Sequence, residues 1–260
     1  MLLSNRVAIV TGGAKGIGKG ISLKFAGEGC SVVIADVLEK EAEETVNEIK
    51  TKGVDAIYIH CDHTSNSQVN DMVKQSISKF GKVDILVNNA GGFGPPIAIT
   101  DMTGEAWDRM LNLNLKGVFM CCKAIIPHMI DNKYGKIINM SSLSAIAPGP
   151  PQTNYSAAKA GVLALTFDLA VQYAEYGINV NAILPGIIRT DLWHANLPPE
   201  ADRDEYFKGL ATGNIPMGRA GTPDDVAGVA LFFASGLSDY VTAEQIVVGG
   251  GLPHHPPPQV

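Results

Sequence analysis

The run Arg6-Val-Ala-Ile-Val10 passes without a break into Thr11-Gly-Gly-Ala-Lys-Gly-Ile-Gly18, and an amphipathic helical pattern follows through about Glu28. No other feature narrows the choice of fold as far. A short, unbroken apolar run suits a strand buried on both faces, the kind found in parallel sheets. Glycines at 12, 16 and 18 let the backbone turn tightly and approach a pyrophosphate, whose charge then rests at the N-terminus of the following helix. A plain Gly-rich reversal of the chain is the alternative, and the segments that follow weigh against it.

Tyr155-Ser-Ala-Ala-Lys159 is the second such feature. Side chains four apart on a helix stand one above the other on a single face. A phenol beside an ammonium is expected to ionise more readily, its pKa falling from about 10 toward the range of a general acid/base. Many solvated helices carry a Tyr and a Lys at this spacing, so the pair gains meaning only from its company. Ser31–Ala35 reads as a second strand, ended by Asp36 about 20 residues beyond the glycine turn. Lys136–Met140 reads as a fifth strand, and Ser142 follows it thirteen residues before Tyr155. Turn chemistry would explain a Ser-Ser pair standing alone. Taken together, these residues resemble the short-chain dehydrogenase/reductase family, and the resemblance runs from residue 6 to about 251.

The resemblance implies one α/β domain over residues 1–251, a Rossmann-type doubly wound parallel sheet of seven strands in the order 3-2-1-4-5-6-7 with helices on both faces. A substrate lid is expected at about 186–216, and a Pro-rich tail at 252–260. The implied reaction is hydride transfer between NAD(H) and a secondary alcohol or ketone, with a cyclic or steroid-like hydroxyl among the substrates that suit it. Tyr155 would exchange the hydroxyl proton, Lys159 would lower its pKa and hold the nicotinamide ribose, and Ser142 would orient the carbonyl. Asn114, inside the long helical pattern Glu105–Met129, matches the family's helix-interrupting Asn that holds a water linked to Lys159; Asn112 is its decoy.

For the cofactor, the resemblance assigns Gly12, Lys15, Gly16, Ile17 and Gly18 to the pyrophosphate turn and Asp62 to the adenine. Asn89, Ala90 and Gly91 would form a thin wall beside it. Pro185, Gly186, Ile188 and Thr190 would meet the nicotinamide amide and the pyrophosphate. His63 stands where the family has a small apolar residue; it is expected either to meet the adenine edge or to face solvent. Asp36 would accept hydrogen bonds from the adenosine ribose and repel a 2′-phosphate, which favours NAD over NADP. Lys15 pulls the other way, but a loop lysine can swing into water whereas Asp36 would meet the phosphate head-on. No metal is expected.

Other segments are read more simply. Gly92-Phe-Gly-Pro-Pro96 and Ala145–Thr153 are expected at the substrate mouth. Asn154 is expected to cap a helix running to about Tyr176, and Ser65 or Thr64 to cap another. Residues Gly161–Tyr173 are apolar on most faces, more than one sheet face explains, which fits a subunit interface and the family's homotetramers. Apolar Trp193, Leu197, Phe207 and Leu210 in the lid suggest a partly apolar substrate. Thr242-Ala-Glu departs from the family's Thr-Gly-Glu, so a shifted backbone is expected there.

Composition excludes several functions. Lys plus Arg is 20 against 26 for Asp plus Glu, a net charge of −6, so a nucleic-acid partner is not expected. No apolar run is expected to approach the roughly 20 residues needed to cross a bilayer, and no signal peptide is expected, since the N-terminus goes almost at once into a strand. The four cysteines (Cys30, Cys61, Cys121, Cys122) have neither metal nor redox spacing and read as buried thiols of a cytoplasmic protein. His254-His255 in the tail is expected to do nothing specific. Two rival readings remain. One is a 3-oxoacyl-thioester reductase using NADPH, for which Lys133 and Tyr176 are a half match to the expected basic positions. The other is a dinucleotide-binding sensor or scaffold without catalysis.

Overall fold

Alternation along the strands sets the architecture. In the computed structural model, which describes residues 1–149, 151–191 and 202–253, β1 (Val7–Thr11) is buried along its whole length. Its Ala8 and Val10 face one core with Ile21 and Phe25, whereas Val7 and Ile9 face a second core with Met72 and Ile125. β2 (Ser31–Asp36) repeats the division: Val32 and Ile34 go one way, Val33 and Ala35 the other. Successive strand side chains point to opposite faces, so a continuous apolar run requires helices on both. Each fully buried Ile or Phe stabilises by about 1.5–3 kcal/mol.

The remaining strands are β3 (Ala56–His60), β4 (Ile85–Asn88), β5 (Gly135–Met140), β6 (Ile178–Pro185) and β7 (Gln245–Val248). They form one seven-stranded sheet in the order β3-β2-β1-β4-β5-β6-β7, every pairing parallel. The order expected from the sequence is thus observed. The chain leaves β1 toward β2 and returns to pair β4 on β1's other side, in the registers Val7↔Ser31 and Ala8↔Ile85. At that reversal the connections diverge and leave a crevice beyond the C-terminal ends of the strands.

Helices α1 (Gly16–Gly27), α2 (Glu39–Lys50) and α3 (Asn66–Phe80) follow the first three strands. The long pattern at 105–129 is not one helix. It divides into α4 (Gly104–Leu111), a π-helical turn (Asn112–Lys116) and α5 (Gly117–Asn132). By length and composition Gly104–Asn132 is apolar enough to cross a bilayer, which corrects the expectation that no stretch approaches this; half of the apolar window is buried inside the fold. Further on come α6 (Thr153–Tyr173), α7 (Arg203–Ala211) and α8 (Pro223–Ala234).

Helix ends correct three expectations. α6 begins one residue early, so Asn154 lies inside the first turn, where its Oδ1 accepts from the Tyr155 amide at 2.8 Å. It ends at Tyr173, and Ala174–Tyr176 is a 3-10 turn. Ser65 occupies the N-cap position of α3 without a side-chain capping bond; its hydroxyl meets Ser67, and that of Thr64 meets Asp62. The start of α8 is as its sequence suggests, with Thr222 and Asp225 in a reciprocal capping box. At Thr242-Ala-Glu, where a shifted backbone was expected, Ala243 takes φ +59 and its amide donates to the Val180 carbonyl at 3.0 Å. Trp193 and Leu197 of the expected lid, and His254-His255 with the rest of the tail to 260, lie outside the described residues.

Candidate active site

The glycine turn is held from three sides. The Asn89 amide donates to the carbonyls of Thr11 and Gly12, both at 3.0 Å, and the Thr11 hydroxyl accepts from the amides of Asn89 and Ala90. Thr45 of α2 donates to the Ala14 carbonyl at 2.9 Å, and Asp36 accepts from the Ala14 amide at 3.0 Å. The second Asp36 oxygen accepts from the Leu38 amide at 3.1 Å. Gly12 has φ +61, and a Cβ there would stand 2.9 Å from Ala90 Cα. A Cβ on Gly18 would collide with the Gly12 carbonyl. Lys15 precedes α1 without a side-chain cap, leaving the first amides of that helix to an incoming group. A flat cradle at a helix N-terminus, walled by Ala90 and Gly91, fits a dinucleotide pyrophosphate. The Lys15 ammonium lies 3.3 Å from Glu41 and 3.8 Å from Asp191, between two carboxylates.

Tyr155, Ser142 and Lys159 meet at the ends of β5 and α6. Ser142 does two things: its Oγ accepts from the Ser144 amide at 3.1 Å, opening a 3-10 turn, and its hydroxyl favours ionisation of the Tyr155 phenol. Ser141 donates to the Lys159 carbonyl at 2.8 Å and ties α6 to β5. Lys159 Nζ donates to the Met140 carbonyl at 2.8 Å and lies 5.8 Å from the centre of the Tyr155 ring. Burial pushes the Tyr155 phenol above its ordinary range, and the Ser142 hydrogen bond only partly offsets this. The expectation that Lys159 acidifies the phenol is therefore not met in this structure. Lys159 is not among the groups that shift the phenol, and the ammonium itself is pulled down to about 8 by burial. Phe93, which spacing did not single out, stands edge-on to Tyr155 with ring centres 6.0 Å apart.

Asn114 is fully buried in the π turn. Its amide donates to the Gly92 carbonyl at 2.8 Å, and its Oδ1 accepts from the Gly92 amide at 3.1 Å. A Cβ on Gly91 would stand 2.7 Å from Asn114 Oδ1 and 3.5 Å from Lys159 Nζ, so both groups converge on the bare backbone of Gly91. His63 does not face solvent, as one expectation had it. It is 7% exposed, and its Nε2 lies 2.8 Å from the Leu113 carbonyl. A carbonyl only accepts, so Nε2 carries the proton. Asp62 folds into a local turn, accepting from the Thr64 amide and hydroxyl, which hold its carboxyl below the usual range.

Beyond β6, Ile188 forms a bridge with Gly221 through the carbonyl of Ile187 and the amide of Arg189. The bridge makes no use of the amide and carbonyl of Ile188 itself. Gly186 donates to Val248, and Thr190 approaches Gly16, whose Cβ would lie 3.4 Å from Thr190 Cγ2. Thr190 thus overhangs the start of α1. The four cysteines are free and buried, with Cys61 raised to about 11 and Cys122 to about 12 by burial, so they are inert. Among the described residues no cluster of His, Cys, Asp and Glu is placed to hold a metal. An open groove of about 840 Å³ is lined by residues of α4, the π turn and α5 between Asp108 and Phe119, and Tyr155 is not among its lining residues.

A parallel sheet with a phosphate cradle and a Tyr–Lys–Ser cluster at its C-terminal edge defines a dinucleotide-dependent oxidoreductase scaffold, and known proteins agree. Residues 12–253 match the family model described as enoyl-(acyl carrier protein) reductase. The chain is 40% identical over 251 residues to the (2S)-((R)-hydroxy(phenyl)methyl)succinyl-CoA dehydrogenase subunit BbsD of Thauera aromatica, covering 96% of this chain and 98% of that one. It is 39% identical to the 3-oxoacyl-(acyl-carrier-protein) reductase FabG of Thermotoga maritima, covering 97% and 99%. The crystal structure of levodione reductase superposes with a TM-score of 0.90 at 30% identity, covering 96% of this chain and 98% of that one. The chain belongs to the short-chain dehydrogenase/reductase family.

Proposed function

We propose that the protein catalyses reversible hydride transfer between NAD(H) and a secondary alcohol or ketone. The observation that carries this reading is the cluster at the ends of β5 and α6: the Ser142 hydroxyl favours ionisation of the Tyr155 phenol, the buried Lys159 ammonium lies 5.8 Å from the phenol ring and converges with Asn114 on Gly91, and Phe93 stands edge-on to the phenol. The bound cofactor supplies or accepts the hydride. In the reducing direction the Tyr155 hydroxyl donates its proton to the carbonyl oxygen, and Ser142 holds that oxygen by a hydrogen bond as charge develops on it. Lys159 stabilises the phenolate left behind, and Asn114 keeps the backbone at Gly92 in place and supports the water link to Lys159. In the oxidising direction the same phenolate takes the alcohol proton.

The cofactor residues are Gly12, Lys15, Gly16, Ile17 and Gly18 at the pyrophosphate, Asp36 at the adenosine ribose, and Asp62 with the His63 backbone at the adenine. Asn89, Ala90, Gly91, Pro185, Gly186, Ile188 and Thr190 line the remainder. Asp36 supports NAD over NADP: its two bonded amides fix a carboxylate where a 2′-phosphate would come. The one cation of the loop, Lys15, already faces Glu41 and Asp191.

Relatives named 3-oxoacyl-(acyl-carrier-protein) reductase favour a second reading, reduction of a 3-oxoacyl thioester, to which this reading adds NADPH as the reductant. Against it stand Asp36 and the exposed Tyr176 at a position expected to be basic. The proposal also includes a homotetramer, supported by exposed Phe119 and Val171 on α5 and α6, and a cytoplasmic location, supported by four unpaired thiols. The deciding experiment is a spectrophotometric screen of secondary alcohols, cyclic ketones and 3-oxoacyl thioesters with both cofactors side by side. The expected result is turnover of an apolar alcohol with NAD preferred. Preference for NADPH with thioesters would establish the second reading instead, and cofactor binding without turnover on any substrate would favour a sensor.

A further inference from the structure

His63 is a residue whose burial the proposed reaction does not explain. It follows β3, fifty positions before the carbonyl it bonds, and sits 7% exposed against the π turn. In that turn the Gly117 amide bonds the Asn112 carbonyl, five residues back. An α-helical pattern would have sent it to Leu113, four back. The Leu113 carbonyl instead receives His63 Nε2–H at 2.8 Å. Gly117 makes room for the ring: a Cβ there would collide with His63 Cδ2 and stand 2.8 Å from Nε2. Imidazole, missing side chain and displaced helical bond fit one another. The next residue after Leu113 is Asn114, whose amide clasps Gly92 on both sides.

We infer that His63 is a positioning residue that holds the π turn Asn112–Lys116 open, and thereby keeps Asn114 on Gly92 and beside Lys159. The inference rests on the proposed roles of Asn114 and Lys159. An apolar residue at 63 would leave the Leu113 carbonyl of this chain buried without its donor, and the turn that carries Asn114 would lose that anchor. A small displacement of a supporting group reaches catalysis through lost alignment.

The test compares the full-length protein with His63→Val and His63→Gln, since the Gln amide restores a donor of similar reach. Amide hydrogen exchange at Gly92 and Gly117 should quicken about tenfold in His63→Val and return to within about threefold of wild type in His63→Gln. On the best alcohol of the screen, kcat should fall about tenfold with NADH affinity within twofold, and His63→Val should cost nothing more in an Asn114→Ala background. Unchanged exchange overturns the inference, as does a loss confined to cofactor affinity or a multiplicative loss in the double variant. Should His63→Val not fold, the imidazole 15N signals of the wild type, assigned against His63→Gln, decide: a slowly exchanging Nε2–H supports it and an unprotonated Nε2 overturns it. A wild type that turns over nothing defeats the proposed function, while the exchange arm still judges His63.

Discussion

Lys159 is buried and Tyr155 half-buried, and desolvation disfavours the charged form of each. The phenol is pushed up and the ammonium down to about 8, so two groups that titrate close together in water are driven apart. The sign of the resulting pH dependence follows. Below about pH 8 Lys159 is charged and can receive the phenolate that ketone reduction leaves on Tyr155; above it the amine is neutral and that support is withdrawn. Since kcat/KM reports groups in the free enzyme, its value for ketone reduction should hold through neutral pH and fall as pH rises through about 8. A profile flat from about pH 6 to 10 would show that Lys159 does not titrate there. None of this was legible in Tyr155-Ser-Ala-Ala-Lys159 alone. Four-residue spacing gives adjacency on a helix, but desolvation depends on what strands β4 and β5 place around it.

At the scale of elements, Thr242-Ala-Glu leads into β7 through a left-handed residue and bonds the start of β6. Ala243 at φ +59 keeps its amide on Val180, and Thr242 Oγ1 accepts from the Val180 amide at 3.1 Å. The hydrogen bonds impose the turn and the alanine bears the strain, about 1 kcal/mol for a non-glycine residue in this region. Ala243→Gly should therefore stabilise the fold by up to about 1 kcal/mol, less the greater freedom of glycine in the unfolded chain, and raise Tm by about 1–4 °C. A lowered Tm in a thermal melt would mean that the packing of the Ala243 methyl outweighs its backbone. Strands were readable because Val7–Thr11 and Ser31–Asp36 are apolar without interruption. The break in the long helix was not, since Asn112-Leu-Asn114 fits an α period as well as a π turn. His63 was visible as a departure from the family pattern, but its partner is fifty residues away, beyond any local signal.

Over the whole molecule, every functional group proposed lies at one edge of the sheet. Thr11, Asp36, Asn88, Met140 and Pro185 end five of the parallel strands, and the loops that follow them carry the cradle, the carboxylate, the wall, Ser142 and Ile188. The helices brace that edge from the sides: α2 through Thr45, the π turn through Asn114, α6 through Tyr155 and Lys159. Cofactor binding and proton transfer are therefore separable, because the cradle depends on β1, β2 and α1 while the phenol stands on α6. The most direct measurement exploits that separation: NADH affinity and steady-state turnover of Tyr155→Phe beside wild type, on the best substrate of the screen. With the ring kept and only its hydroxyl removed, NADH should bind with unchanged affinity while kcat falls by about 10²–10⁴-fold, the usual contribution of a positioned general acid. Turnover within a few-fold of wild type would contradict the assignment of Tyr155 as the proton donor, and with it the proposed mechanism.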